Sequence, residues 1–231
     1  MRIHNDNLGL NFLTFEIGKV PSNLLSQYYD SYKLWKDIFT ETFSNIFSTD
    51  YKLYSDEFLL HKKVSTLFIT NNPIGIICVS QVNLSSPIEI ERSYFKNYPP
   101  NFLELLKNKY KNVFIISNLA IDPEHRKSIS GKCYSTYLIG LSILNFLFSE
   151  CCALITFTRN DRKTNDIVKS FGGRTLDKQI AYGIESDIMC IEPNDAISAL
   201  SHLNPILKKS IINLWNKSQP SKNETKNIHW V

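Results

Sequence analysis

Residues 113–134 constrain the chain more than any other stretch. Val113-Phe114-Ile115-Ile116-Ser117-Asn118-Leu119-Ala120-Ile121 is an apolar, β-branched run of strand length. Asp122-Pro123 stops it, because proline has no N–H to give to a ladder. A basic turn of mostly small residues follows, and Leu138, Leu141 and Leu144 then recur at helical spacing. A strand that delivers its end to a cationic turn and a helix N-terminus makes an anion site. The first N–H groups of the helix lack intrahelical partners, and its dipole adds partial positive charge. The ligand suited to such a junction is phosphorylated.

Composition sets the remaining bounds. With 231 residues, 43% of them hydrophobic and 12% aromatic, the chain can pack one domain, with or without an appended element. The net charge of +4, from 26 basic and 22 acidic residues, is too slight for a nucleic-acid footprint, so no nucleic-acid partner is expected. The segment MRIHNDNLGLNFLTF carries Asn and Asp where a signal peptide needs an unbroken apolar core. The apolar region from Tyr137 to Phe148 is interrupted by Gly140, Ser142 and Asn145 and is too short to span a bilayer. A cytoplasmic location without a membrane span is the expectation. Five cysteines (Cys78, Cys133, Cys151, Cys152, Cys190) sit mostly in apolar runs and read as small buried thiols, not a disulfide framework. The histidines His4, His61, His125, His202 and His229 show no paired spacing, so no metal site is expected.

Periodicity gives the order of elements. A strand is predicted over Leu10 to Ile17, then a helix capped by Ser22-Asn23 and running to Phe47. Its Tyr28, Tyr32, Trp35, Phe39 and Phe43 form one aromatic stripe, a core face before it is a substrate wall. Val64 to Ile69 and Ile74 to Gln81 read as a hairpin. An insertion over 83–112 carries Glu89, Glu91, Tyr94 to Pro100 and a helix from Asn101 to Tyr110. After the central strand come a helix over Gly131 to Ser149, a strand over Ala153 to Thr158 and a short helix over Asn165 to Ser170. A hairpin over Arg174 to Ile191 follows, then helices capped by Asn194 and opened by Pro205. The fold class is mixed α/β (α+β), a mostly antiparallel central sheet flanked by helices with a C-terminal helical extension. The domain occupies 1–192, appended helices 193–218 and a polar tail 219–231. Ile197, Leu200, Leu203, Leu207, Ile211 and Trp215 give the appended helices an apolar face, which either covers the domain's own core or forms a homodimer seam.

These residues resemble the GNAT superfamily of acyl-CoA-dependent N-acyltransferases. In that family a strand ending Leu-x-Val-x-Pro is followed by Arg/Gln-x-x-Gly-x-Gly/Ala at a helix start. Leu119-Ala120-Ile121-Asp122-Pro123 matches the strand half, Arg126 is correctly placed, and Gly131 falls on the last glycine position. Ile129 stands at the first glycine position, a departure. A loop longer by two residues would instead set Gly131-Lys132-Cys133 on the glycine pair, and both registers stay open. Asn160 through Phe171-Gly172 is similar to the family's second motif. The likeness in topology covers roughly 8–192 and that in motifs about 113–173.

The resemblance implies acetyl-CoA or another acyl-CoA as co-substrate. Arg126, Lys127, Ser128, Ile129, Ser130, Gly131 and Lys132 would cradle the pyrophosphate, Leu119, Ala120 and Ile121 would pair with the pantetheine arm, and Asn160 would complete the site. Arg159, Arg162 and Lys163 would meet the outer phosphate or lie on the surface. The acceptor is a small-molecule or peptide amine. Many relatives carry a carboxylate where Ser117 and Asn118 stand, and a tyrosine where Ile167 and Val168 stand, so the usual base and acid are missing. Asn118 and Tyr134 are the catalytic candidates; Tyr182, Glu89 and Glu91 are substitutes, and Cys133 replaces a small residue near the thioester. Two further readings remain: a longer-chain donor, as in the family's N-acyl amino acid and acyl-homoserine-lactone synthases, or a module that binds coenzyme A or a protein without turnover.

Overall fold

The computed structural model describes residues 9–91, 95, 98–126 and 133–218. Seven strands form one sheet in the order β1-β2-β3-β4-β5-β7-β6. They are β1 (Leu10–Glu16), β2 (Lys63–Ile69), β3 (Asn72–Asn83), β4 (Asn112–Ile121), β5 (Ala153–Arg159), β6 (Arg174–Ala181) and β7 (Ile184–Ile191). Only the β4–β5 pair is parallel; the others are antiparallel. The parallel pair needs a crossover, which α5 (Tyr134–Leu147) supplies. The predicted fold class therefore holds.

The two faces of the sheet are covered differently. On one, α5 packs with α6 (Thr164–Ser170), α7 (Pro193–His202) and α8 (Pro205–Ser218) over a core that includes Leu67, Ile77, Phe114, Ile116, Leu154 and Met189. On the other, α1 (Leu25–Phe47) lays Trp35 and Ile38 over Val64, Ile76, Cys78 and Ala120. The same face farther along is covered by α4 (Pro100–Lys109), whose Phe102 and Leu106 meet Val113, Ile115, Ile155 and Ile188. Alternation along each strand divides these residues between the faces, as a two-sided sheet requires.

The helix starts depart from expectation. Ser22-Asn23 lies in a 3-10 turn, and α1 begins at Leu25 without a side-chain cap. Asn194 is inside α7; Pro193 takes the first helical position, where its missing N–H costs nothing, so the cap falls on Glu192. Two short helices, α2 (Ser55–Leu59) and α3 (Pro87–Ile90), are too brief for periodicity to reveal. Of the five cysteines, Cys133 and Cys152 are exposed, so the reading as buried thiols holds for Cys78, Cys151 and Cys190.

Candidate active site

The sheet opens at its centre. β4 and β5 pair only from Val113–Ala153 to Ile116–Thr156. Beyond that point β5 continues against β7 alone, through Phe157–Ile188 to Arg159–Ser186. The end of β4 continues against β3 alone, through Ala120–Ile76 and Ile121–Gly75. The cause of the divergence is local. Asn118 and Leu119 together oppose the single residue Ile77, a β-bulge, and Asn118 takes a left-handed φ of 51°. A bulge bends and twists its strand, and Asn is among the few residues that enter this backbone region at modest cost. The predicted pantetheine-pairing residues Leu119, Ala120 and Ile121 all lie on this freed arm.

On the face shared by α1 and α4, a polar patch separates the two apolar clusters at the opening. Cys78 and Ser80 come from β3 and Ser117 and Asn118 from β4; His61 lies just before β2. His61 is only 8% exposed, and its Nε2 lies 2.9 Å from Asn118 Nδ2. The neighbouring Lys62 N–H donates to Ser80 Oγ at 3.4 Å. Ser117 Oγ is buried without a protein partner. Burial pushes the Cys78 thiol far up, against a smaller opposite pull from the Asn118 amide, so Cys78 stays protonated.

Aromatic rings border this face. Tyr98 stacks on Phe157 of β5 at 6.1 Å. Tyr182, at the β6–β7 turn with φ 54°, sets its ring edge-on against Phe43 and Phe47 at 5.8 and 5.7 Å. The β6–β7 hairpin thereby reaches α1 from the other half of the sheet.

At the anion end, Pro123–His125 form a 3-10 turn capped by the Asp122 carboxylate, which accepts from the Glu124 N–H. Arg126 is exposed and donates Nε to the Ile121 carbonyl at 3.0 Å, which holds its guanidinium at the strand end. Lys127, Ser128, Ile129, Ser130, Gly131 and Lys132 lie outside the described residues. The chain resumes at Cys133, the N-cap of α5, whose side chain makes no cap bond. Partial burial disfavours the Cys133 thiolate, but the Thr136 and Ser135 hydroxyls bring its pKa below the usual thiol value.

Asn160 directly follows β5 on the far arm. Its N–H donates to the Glu185 carbonyl, its Nδ2 donates to Asp187 Oδ1 at 2.9 Å, and its Oδ1 is buried without a protein partner. Asp187, 2% exposed in β7, also accepts from Asn165 Nδ2 at 3.3 Å and Thr175 Oγ1 at 3.0 Å. Burial alone would raise this carboxyl; the three hydrogen bonds outweigh it and hold the pKa below the ordinary value.

The structure thus sets Asn118 beside Leu119, Ala120 and Ile121 on β4, and Asn160 across the opening at the end of β5. Tyr134 stands on the other face, its ring 6.2 Å from His125 and 6.4 Å from Tyr137, against the core beneath α5. Glu89 is engaged structurally: Oε2 accepts the Asn83 N–H at 2.7 Å and Oε1 pairs with Lys62 at 3.5 Å. Arg159 and Arg162 both pair with Asp161, at 2.7 and 3.7 Å. Sequence reasoning missed His61 and Asp187. No spacing signals His61, which meets its partner across 57 residues, whereas an acid directly before the apolar run Ile188–Ile191 could have marked Asp187. A cavity of about 230 Å³ lined by Asn11, Phe12, Leu24, Phe68 and Leu214 lies at the β1 edge, away from this chemistry.

No family model matches the sequence, and no curated protein matches it. Solved structures do. The AHL synthase LasI aligns with a TM-score of 0.54 at 14% identity over 82% of this chain and 93% of its own. FeeM, an N-acyl amino acid synthase from uncultured soil microbes, aligns with a TM-score of 0.52 at 10% identity over 82% and 95%. ElaA of Escherichia coli aligns with a TM-score of 0.51 at 10% identity over 79% and 99%. The chain has the fold of the GNAT N-acyltransferases.

Proposed function

We propose that the protein is an N-acyltransferase that moves an acyl group, in the first instance acetyl, from acyl-coenzyme A to an amine by direct attack. The observation that carries this reading is the parting of β4 from β5 after Ile116 and Thr156, beside a helix start preceded by Arg126. An extended pantetheine arm can add to the freed side of β4 as a further strand would. Coenzyme A supplies the thioester. The residues of this chain do the rest. Arg126 offers its remaining guanidinium N–H groups to phosphate oxygens, and the α5 N-terminus adds its dipole. Main-chain N–H groups of the bulged arm, freed from β5, would stabilise charge on the oxygen of an attacked carbonyl. Asn118 stands where the amine would arrive, on the face bordered by Tyr182 and Phe157, and its amide orients that amine by hydrogen bonding.

Titration calorimetry with acetyl-CoA tests the reading. Binding is expected, and Arg126→Glu should weaken it about tenfold or more by setting an anion beside the pyrophosphate, with little change in stability. No binding to the unmodified chain sinks the proposal; normal binding by the variant moves the anion site elsewhere. A second reading keeps the mechanism and lengthens the acyl chain. It is favoured by the likeness in fold to FeeM and LasI, one an N-acyl amino acid synthase and the other an AHL synthase. A panel of acyl-CoA and acyl-carrier-protein donors decides between them, a strong acetyl preference eliminating the second.

A further inference from the structure

The acyltransferase reading leaves one buried group at the opening without a task, the imidazole of His61. It comes from the segment between α2 and β2, yet it meets the bulge of β4, the residue pair on which the opening of the sheet depends. An imidazole nitrogen 2.9 Å from an amide nitrogen is a hydrogen bond only if one donates and the other accepts. With Nδ2 donating, Nε2 must carry the lone pair, so the ring proton belongs on Nδ1. The second inward neighbour of the Asn118 amide is the Cys78 sulfur, fully buried on the adjacent strand. Nδ2 is therefore engaged on the inner side, and the amide oxygen is the end that remains for the opening. The opposite tautomer would reverse this: Nε2–H would draw the oxygen inward and turn the NH₂ group outward.

We propose that His61 is a positioning residue for acyl transfer: by accepting from Asn118 Nδ2 it turns the Asn118 oxygen toward the opening, where it accepts a hydrogen bond from the N–H of the incoming amine. The inference rests on the acyltransferase reading for its consequence, but not for its geometry. An acceptor aimed at the amine leaves the nitrogen lone pair free to face the carbonyl carbon, whereas an outward NH₂ group would compete for that lone pair. No proton moves through His61 in this role. The site therefore selects an acceptor that brings an N–H, a primary or secondary amine, and gives no hydrogen bond to a tertiary one.

Two substitutions of similar size separate positioning from any other role. Glutamine at position 61 places a side-chain oxygen about where Nε2 stands, whereas asparagine reaches only about as far as Nδ1. Nitrogen-15 NMR of the full-length, ligand-free protein at about pH 8 should show His61 protonated on Nδ1 and unprotonated on Nε2, with slow exchange of the Asn118 side-chain hydrogens. His61→Asn should lose that slow exchange, and His61→Gln should keep it. In thiol-release assays with acetyl-CoA and a panel of primary amines, His61→Asn should lower kcat about tenfold or more with KM for acetyl-CoA unchanged, and His61→Gln should recover most of the loss. A protonated Nε2 overturns the proposal. So do two variants that behave alike in exchange and in kcat; if both lose activity together with the acid limb of the pH profile, His61 is itself the proton acceptor. If the unmodified chain binds no acetyl-CoA, the acyltransferase reading fails, and the tautomer and exchange results still decide the His61–Asn118 geometry.

Discussion

Glu192 shows how one side chain can tie three elements. Its Oε1 accepts from Lys109 Nζ at 2.7 Å, Tyr110 Oη at 2.6 Å and the Arg174 guanidinium. The Lys109 and Tyr110 bonds, reinforced by Arg174, hold its carboxyl at about 2, while burial pushes Tyr110 upward. A depressed carboxyl pKa contributes stability that is present above the unfolded value and is lost as pH falls through the folded one. The contribution should therefore be intact near neutrality and disappear between the ordinary carboxylate range and about 2. Urea unfolding at pH 7 and about pH 3 should show a larger difference for the unmodified chain than for Glu192→Gln. The groups around Glu192 are partly exposed, so the effect stays modest and shrinks in salt. The strand residues Leu119 to Ile121 were legible from a local pattern, an apolar run ended by Asp-Pro. His61 was not, because its significance comes from a partner on another strand.

Among the elements, the long helices were legible from apolar positions at helical spacing, and the central strands from continuous apolar runs, because both of their faces are buried. The short helices α2 and α3 were not, since four or five residues complete barely one turn. The junction of α6 with β6 was marked by Phe171-Gly172-Gly173, and the structure shows why glycine is needed there. Gly172 has φ 87°, and a Cβ on it would stand 2.5 Å from the Asp195 carbonyl oxygen at the start of α7. Main chain cannot yield there as a flexible side chain could. Gly172→Ala should cost about 2 kcal/mol or more, read as a shifted urea midpoint at unchanged slope. The same change at Gly183, φ 74° but with nothing near its Cβ, should cost less, the backbone term alone.

At the scale of the molecule, the appended helices close the core. Ile211 on α8 is 1% exposed against α5, Leu200 and Leu214 are buried with it, and Trp215 stacks on Phe148 at 4.4 Å while donating Nε1 to Asn145 Oδ1. Gly140 lets the two helices approach, since a Cβ there would meet Ile211 Cδ1 at 2.6 Å. Covering the domain's own core was one of two uses foreseen for this apolar face, and Ile197, 46% exposed, is the residue of that face left outside. Ile211→Ala should cost about 3 kcal/mol in urea unfolding, as for other buried aliphatic truncations. A loss below about 1 kcal/mol would mean that α8 is peripheral to the core.

By itself the sequence determined the order of strands and helices, the class of fold and the junction at residues 119–126, because sterics, proline chemistry and burial period act over a few residues. The tertiary structure decided which strands part, and that His61 faces Asn118 and Asp187 faces Asn160. Those contacts depend on strand order and register, which bring together residues 57 and 27 positions apart, and no local pattern encodes such a meeting.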